Sequence, residues 1–141
     1  MRLLLIWKLN QCKLDWMNDM GYMSDVAAVL YVTNKDDFPV LKLWLIENFP
    51  MAEFASEVRW FDRGIVFECE NTKWYDDFPD VKKFNNAAQA FIDLFCTDQD
   101  EVPEGAYEFM RIGEEYEDIE SISQGSCAYF LDCSRSIGIG V

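Results

Sequence analysis

The sequence predicts an α+β domain in which one long amphipathic helix, about residues 80–96, packs on one face of a mainly antiparallel sheet. The order of elements carries this prediction: several strand-like runs, one strongly periodic helical segment, then further strand-like runs. The length of 141 residues and the 50% apolar content allow one substantial core, and no linker-like composition divides the chain. We therefore treat residues 1–141 as a single domain.

The amino-terminal part of the chain leads into two predicted strands. Residues 1–22 leave two interpretations open, an ordinary first strand or helix and an appended or variable segment, because their apolar residues match neither alternation nor a clean helical stripe. Met23, followed by SDVAAVLYV, reads as a natural chain start. Residues 26–33 (VAAVLYVT) predict a strand, residues 34–37 a turn, and residues 40–46 (VLKLWLI) a second strand.

Residues 57–70 (EVRWFDRGIVFECE) predict a β-hairpin. Its loop is Asp62, Arg63 and Gly64, with the glycine expected at a positive-φ position. A rival interpretation makes residues 50–58 (PMAEFASEV) a helix that leads into the strand, with the proline in its first turn. Both interpretations retain a strand in the second half of the segment.

The segment DVKKFNNAAQAFIDLFC (80–96) gives the clearest helical signal. Asp80 is the expected N-cap, and Pro79 marks the boundary. Apolar residues recur at three- and four-residue intervals along one face: Val81, Phe84, Ala88, Phe91 and Phe95.

Two strands are expected after this helix. Residues 106–112 (AYEFMRI) predict the first, and residues 128–139 (AYFLDCSRSIGI) predict the last. Gln124 and Gly125 predict a turn before the last strand.

Net charge is the strongest chemical feature of the chain. Twenty-six acids against twelve bases give a formal charge of −14, and residues 98–120 hold ten of the acids with one base, Arg111. This sign disfavours nucleic acid and anionic membranes as direct ligands and favours a basic protein partner. Half of the residues are apolar and 16% aromatic, so the charge belongs to a folded body and not to a disordered acidic tail.

Cysteine use and the first residues indicate the compartment. The opening MRLLLIWKLNQ is interrupted by Lys8 before it reaches signal-peptide length, and it is too short to span a bilayer. We expect a cytoplasmic protein without membrane contact. The five cysteines are odd in number, contain no CxxC pair and predict free, mostly buried thiols: Cys12, Cys69, Cys96, Cys127 and Cys133.

Catalytic motifs are missing from the sequence. The chain has no histidine, which removes Ser-His-Asp and Cys-His catalysis, and it contains neither a P-loop nor a dinucleotide-binding glycine pattern. We expect no enzyme activity and no cofactor. One enzyme alternative survives, a metal-dependent phosphoryl-transfer enzyme with carboxylate ligands. Its candidate ligands would be Asp62, Glu68, Glu70, Asp118 and Glu120.

Two stretches set aromatic residues between carboxylates, NTKWYDDFPD (71–80) and GEEYEDIES (113–121). Tyrosine and tryptophan are favoured interface anchors, and a carboxylate rim attracts a basic partner. If the second stretch is extended, side chains on one face repeat about every 6.5–7 Å, close to the phosphate repeat of a nucleic-acid strand. The simpler alternative is that each stretch is an ordinary solvent-exposed face without a partner. The candidate partner-binding residues are Trp74, Tyr75, Asp76, Asp77, Glu114, Glu115, Tyr116, Glu117, Asp118 and Glu120.

These observations favour an acidic intracellular inhibitor that binds the basic surface of a nucleic-acid-acting protein. Two settings fit equally: an immunity protein against a nuclease toxin, and a phage or mobile-element nucleic-acid mimic that blocks restriction or CRISPR complexes. Besides the metal-dependent enzyme, a second alternative is a structural module that pairs through its sheet edge.

Overall fold

A computed structural model describes residues 21–49, 57–97, 101–133 and 137–140. Five strands form an antiparallel sheet in the order β2-β3-β1-β4-β5, and β6 and β7 form a separate antiparallel pair. The α+β prediction is confirmed, although two helices accompany the sheet instead of one. The elements are β1 (Ser24–Val32), a 3₁₀ turn (Lys35–Asp37), α1 (Phe38–Asn48), β2 (Glu57–Trp60), β3 (Gly64–Thr72), α2 (Pro79–Phe95), β4 (Gly105–Gly113), β5 (Ile119–Gly125), β6 (Leu131–Cys133) and β7 (Ile137–Ile139).

Strand β1 is the centre of the sheet and is covered on both faces. Val26, Ala28 and Leu30 belong to the core under the two helices, while Val29 and Tyr31 belong to a second core under the β6–β7 segment. A strand buried on both sides needs apolar residues at consecutive positions. This explains why the predicted strand reads as a continuous apolar run.

Helix α2 confirms the long predicted helix and its buried face. Phe84 packs against Phe67 of β3 with ring centroids 4.8 Å apart, and Phe91 and Phe95 are buried under α1. The predicted cap is wrong: Phe78 occupies the N-cap position without a side-chain hydrogen bond, and Pro79 begins the helix. Asp80 lies within the first turn, where its charge still complements the positive end of the helix dipole.

The strand predicted at residues 40–46 is wrong, because this segment belongs to helix α1. A proline in the first turn is compatible with a helix start. Leu41 and Leu45 bury one side, and Trp44 contacts the rings of α2. Apolar residues also occupy the opposite, exposed side, so the sequence lacks the polar positions that reveal a helical period.

The β2–β3 hairpin is confirmed, but its glycine serves another purpose than the predicted one. Gly64 does not adopt positive φ. A Cβ atom there would overlap the carbonyl oxygen of Leu30 and lie 2.6 Å from Cβ of Tyr31. Glycine is needed because β1 passes so close. Most of the rival helix, residues 50–56, lies outside the described residues, and Glu57 and Val58 belong to β2.

The carboxyl-terminal strands differ from the prediction. Gln124 and Gly125 end strand β5, which the sequence did not predict, and Gly125 adopts a φ of 81°. The predicted last strand at 128–139 is divided into β6 and β7, whose register pairs Leu131 with Ile139. These short strands cover the second face of the sheet.

The structure describes three of the five cysteine side chains and shows no disulfide between them: Cys69 is buried, while Cys96 and Cys127 are half-buried. Cys12 and the side chain of Cys133 lie outside the described residues, as do residues 1–20. Both interpretations of the amino-terminal segment therefore stay open. Within the described ranges, no helix combines the length and apolar character needed to cross a membrane.

Candidate partner-binding surface

The two acidic stretches leave the sheet at the same end. Ser24, the first residue of β1, pairs with Thr72 at the end of β3 on one side and with Gly113 at the end of β4 on the other. The loops that follow, residues 73–78 and 114–118, therefore start on either side of the entry to β1. We call these two loops together the acidic end. The sequence predicted both stretches but not their proximity.

Tyr22 connects the two loops of the acidic end. Its main-chain N–H donates to the hydroxyl of Tyr75 at 2.6 Å, and its own hydroxyl accepts from the Glu115 N–H at 2.9 Å. The Tyr22 hydroxyl also hydrogen-bonds the carboxylate of Asp118. Next to it, the N–H of Met23 donates to the Glu114 carboxylate at 3.2 Å. The residues just before β1 thus fix the relative position of both loops.

Arg111 holds the carboxylates nearest the sheet. Its guanidinium binds Asp118 at 2.7 and 3.1 Å and Glu120 at 3.2 Å, and it donates to the Ser24 hydroxyl at 3.1 Å. The hydrogen bonds from Arg111 and, to a smaller extent, the one from Tyr22 lower the pKa of Asp118 to about 2. Asp118 and Glu120 are therefore already paired within the protein.

The loop at residues 114–118 is a turn, which makes the extended interpretation wrong for this part of GEEYEDIES. The Asp118 N–H donates to the Glu115 carbonyl at 3.0 Å, and the Gly113 N–H donates to the Asp118 carbonyl at 2.8 Å. Extended backbone begins only at Ile119. The regular spacing that would match a phosphate repeat is absent from residues 114–118. The turn instead presents Glu114, Glu115, Tyr116 and Glu117 as a compact, exposed group.

Tyr116 is the most exposed aromatic residue of the described chain, with 82% of its surface accessible. Trp74 has the opposite character: it is half-buried, and its ring centroid lies 5.2 Å from Phe84 and 6.1 Å from Phe109. A Trp74 substitution would therefore disturb the core as well as any partner contact. Asp76 and Asp77 are exposed in the other loop.

A second polar cluster lies under the β6–β7 segment, on the buried second face. Glu108 is only 2% exposed and accepts from the Tyr31 hydroxyl at 2.6 Å and from the Leu131 N–H at 3.1 Å. The Tyr31 hydroxyl accepts from the Ala128 N–H at 2.6 Å. Burial and, to a smaller extent, the hydrogen bond to Glu108 raise the pKa of Tyr31. This cluster attaches the carboxyl-terminal segment to the sheet.

Sequence reasoning missed both Tyr22 and Glu108. Glu108 follows Tyr107 in AYEFMRI, where alternation makes it look like a solvent-facing residue of a half-buried strand. Its burial depends on a segment more than twenty residues later in the chain. The role of Tyr22 depends on strand order, because β1 must lie between β3 and β4 for one residue to contact both loops. No pattern in the neighbouring sequence indicates the role of either residue.

The five carboxylates of the metal-enzyme alternative do not meet at one place. Asp62 lies in the β2–β3 loop, at the opposite end of the sheet from Asp118 and Glu120. Among the described side chains, no group of three or more acids or cysteines is arranged to hold a metal ion.

Comparisons with protein-family models, with curated proteins and with solved structures find no significant match to the chain.

Proposed function

We propose that the protein is an acidic inhibitor whose acidic end occupies the basic surface of a nucleic-acid-acting protein. The observation that carries the proposal is the joining of two separate acidic loops at one end of the sheet by Tyr22. Both settings named above, immunity against a nuclease toxin and blocking of a restriction or CRISPR complex, require such a surface. The proposal does not depend on which applies.

Charge supplies the attraction in this proposal. Asp76, Asp77, Glu114, Glu115 and Glu117 are exposed at one end of a chain whose formal charge is −14. Clustered charge of one sign raises the association rate with an oppositely charged surface and makes it sensitive to salt. A DNA- or RNA-binding cleft is lined by lysine and arginine and is therefore a strongly basic surface.

The acidic turn is already ordered in the unbound protein. The turn at residues 114–118 is held by its own backbone hydrogen bonds, by Tyr22 and by the Arg111–Asp118 pair. A surface that is already ordered loses less conformational entropy when a partner binds. Tyr116 then offers a rigid amphipathic side chain at the tip of the turn, surrounded by carboxylates.

The test begins with the partner recovered with the tagged wild-type protein from its source cells. A triple variant, Glu114→Gln with Glu115→Gln and Glu117→Gln, removes three exposed charges from the acidic end. Its matched control, Asp36→Asn with Asp37→Asn and Asp62→Asn, makes the same change in net charge at the opposite end of the sheet. We expect the first variant to bind more weakly and with a smaller salt dependence. The control should bind like the wild type.

The loss would reach about 2–5 kcal/mol if a carboxylate is buried against an arginine or lysine of the partner, and less if the charges only form a rim. Equal losses in the two triple variants would show that total charge alone matters and would contradict a localised site. Retention of DNA or RNA by the wild-type protein in a filter-binding assay at low salt would contradict the choice of a protein partner.

A further inference from the structure

Strand β5 forms one edge of the five-stranded sheet. Six of its seven residues, Ile119–Gly125, are exposed, and only Ile122 is half-buried. Natural proteins protect exposed edges with lysine, proline or a bulge, among other devices. Residues 119–125 contain neither lysine nor proline, and β5 pairs with β4 in a regular register without a bulge. Such an edge is a template for pairing with another strand.

The hydrogen-bond pattern shows which main-chain groups of β5 face outward. The Gly113 N–H donates to the Asp118 carbonyl at 2.8 Å, and hydrogen-bonded pairs alternate along an antiparallel ladder. When the β4–β5 register is continued from this pair, the even-numbered residues in the range 120–124 direct their N–H and C=O groups toward β4. Ser121 and Ser123 therefore direct theirs outward. In the described part of the chain, no main-chain partner reaches these outward groups.

We propose that β5 pairs antiparallel with β5 of a second copy, about a two-fold axis that passes beside Ile122. The axis stands perpendicular to the sheet, so the two sheets continue as one and keep their helix-covered faces on the same side. Ser121 of each copy then lies opposite Ser123 of the other. Each of these two residue pairs exchanges two main-chain hydrogen bonds, which satisfies the outward N–H and C=O groups.

The side chains of β5 are self-complementary in this register, as an isologous interface requires. Ile122 meets its own copy at the axis in a non-hydrogen-bonded pair, where cross-strand side chains are closest. Because Ile122 already packs against the core under the helices, the second copy covers the part that is still exposed. Glu120 lies opposite Gln124 of the second copy on the same face, where the glutamine amide donates to the carboxylate.

Neighbouring registers fit less well. Because the outward groups occur at alternate residues, one strand can shift against the other only in steps of two residues. The nearest alternatives move the axis to Ser121 or to Ser123 and shorten the overlap of the two strands from seven residues to five. They also set Ile122 opposite Glu120 or opposite Gln124. The axis at Ile122 alone aligns the whole strand and matches apolar with apolar and polar with polar side chains.

This arrangement is compatible with the net charge of −14. Antiparallel pairing places Asp118 of one copy opposite residue 126 of the other, so the two acidic turns are eight residues apart along the strands. At about 3.3 Å per residue this is about 26 Å, beyond the Debye length of about 8 Å at physiological salt. Glu120 is the one charged residue of β5, and Arg111 of its own chain binds it at 3.2 Å.

The inference goes beyond the proposed inhibitor function and does not depend on it. Because one strand pair buries a small area, we expect a dissociation constant in about the micromolar range. Sedimentation equilibrium of the full chain from about 1 μM to about 1 mM should therefore show a monomer–dimer equilibrium. A wild type that stays monomeric throughout would overturn the proposal and leave the edge to residues 1–20 or to another protein.

The double variant Ser121→Lys with Ser123→Lys tests the edge itself. It places lysine opposite lysine in both outward pairs and should weaken the dimer about tenfold. Its thermal unfolding should stay close to wild type, because both side chains are exposed. The matched control, Ser121→Thr with Ser123→Thr, keeps the hydroxyls and favours a strand, so it should dimerise at least as well as wild type. The two lysines reduce the net negative charge, so general repulsion cannot explain a weaker dimer. Dimers that persist unchanged in the lysine variant would place the interface elsewhere and overturn the proposal.

Three single variants, Ile122→Cys, Ser121→Cys and Ser123→Cys, test the register. Cα atoms in a non-hydrogen-bonded pair lie about 4.5 Å apart, within the range of a disulfide. The proposed axis sets only the thiols of Ile122→Cys opposite each other. Incubation of the folded dimer with oxidised glutathione should therefore cross-link Ile122→Cys, and peptide mapping separates this product from disulfides of the five native cysteines. Cross-linking of Ser121→Cys or Ser123→Cys in its place, or of none of the three, would overturn the proposed pairing.

Discussion

Arg111 binds Asp118 through two parallel hydrogen bonds, from Nη2 to Oδ1 at 2.7 Å and from Nη1 to Oδ2 at 3.1 Å. The first residue lies near the end of β4, and the second immediately precedes β5. The pair therefore closes the hairpin that contains the acidic turn. Bidentate pairing of this kind is geometrically specific and stronger than a single hydrogen bond between neutral groups. The one basic residue in an acid-rich stretch thus has an internal structural role.

Asp118→Asn should lower the stability of the protein in a pH-dependent way. The folded-state pKa of Asp118, about 2, lies below its ordinary value of 3.8. The stabilisation by the carboxylate is therefore complete above about pH 4 and is lost as the pH falls toward 2. Urea unfolding of wild type and variant should differ at pH 6 and converge near pH 2. Glu117→Gln, which changes an exposed carboxylate in the same turn, should show no such convergence.

Tyr22→Phe should release the acidic turn without unfolding the sheet. The substitution removes the acceptor of the Glu115 N–H and the hydrogen bond to Asp118. We expect faster hydrogen exchange of the Glu115 amide, while amides of β1 keep their protection. Tyr116→Phe is the matched control, since it deletes an exposed hydroxyl from the same turn. An unchanged exchange rate of the Glu115 amide in Tyr22→Phe would show that the turn is stable without the Tyr22 hydroxyl.

Stability should fall in alkaline solution in two stages. Burial, together with the charge of Cys127, raises the pKa of Cys96 from 9.0 to about 12, so the fall should begin near pH 9. Burial also raises the pKa values of Tyr31 and Tyr107 above the ordinary 10.0, so the fall should steepen above pH 10. In each case the unfolded chain loses a proton that the folded chain retains.

The slope of the free energy of unfolding should approach about 1.4 kcal/mol per pH unit for each such group. Urea unfolding between pH 8 and 11 measures it. Tyr31→Phe should reduce the slope above pH 10, whereas Tyr116→Phe should leave it unchanged. Equal slopes in wild type and Tyr31→Phe would show that Tyr31 ionises in the folded protein.

Gly64→Ala should destabilise the protein by about 1–3 kcal/mol, the usual cost of forcing an extra group into a packed site. The added methyl would overlap the Leu30 carbonyl oxygen, which belongs to the backbone of the central strand and cannot move alone. Gly140→Ala is the control, because its Cβ would lie 3.4 Å from the Phe130 carbonyl oxygen in ordinary contact. Thermal unfolding of both variants tests the prediction, and an equally stable Gly64→Ala would contradict the close approach.

Elements that bury one face and expose a polar face could be predicted from the sequence. Helix α2 has one buried face, and Phe84, Phe91 and Phe95 show its period directly. Helix α1 could not be recognised, because its exposed face carries Val40, Leu43 and Ile46 in addition to the buried Leu41 and Leu45. With apolar residues on both sides, the segment shows no clear helical period.

The acidic stretches were recognised by composition, but their arrangement required the fold. Alternation in GEEYEDIES suggested extended backbone, whereas the hydrogen bond from the Asp118 N–H to Glu115 makes a turn. Charge counts also could not separate Asp118, paired with Arg111, from the exposed Glu117. Such distinctions depend on contacts between residues that are distant in the sequence or that lie on opposite strands of a hairpin.

The attachment of β6–β7 to the second face of the sheet has a consequence for how the protein is made. A chain that ends at Gly125 already contains all five strands of the sheet. It nevertheless lacks the N–H groups of Ala128 and Leu131, which bind Tyr31 and Glu108, and it lacks Phe130, whose ring lies 4.9 Å from that of Tyr31. During synthesis from the amino terminus, the central strand therefore stays uncovered on one side until the β6–β7 segment has been made. A chain truncated after Gly125 should consequently aggregate, although it keeps every strand of the main sheet.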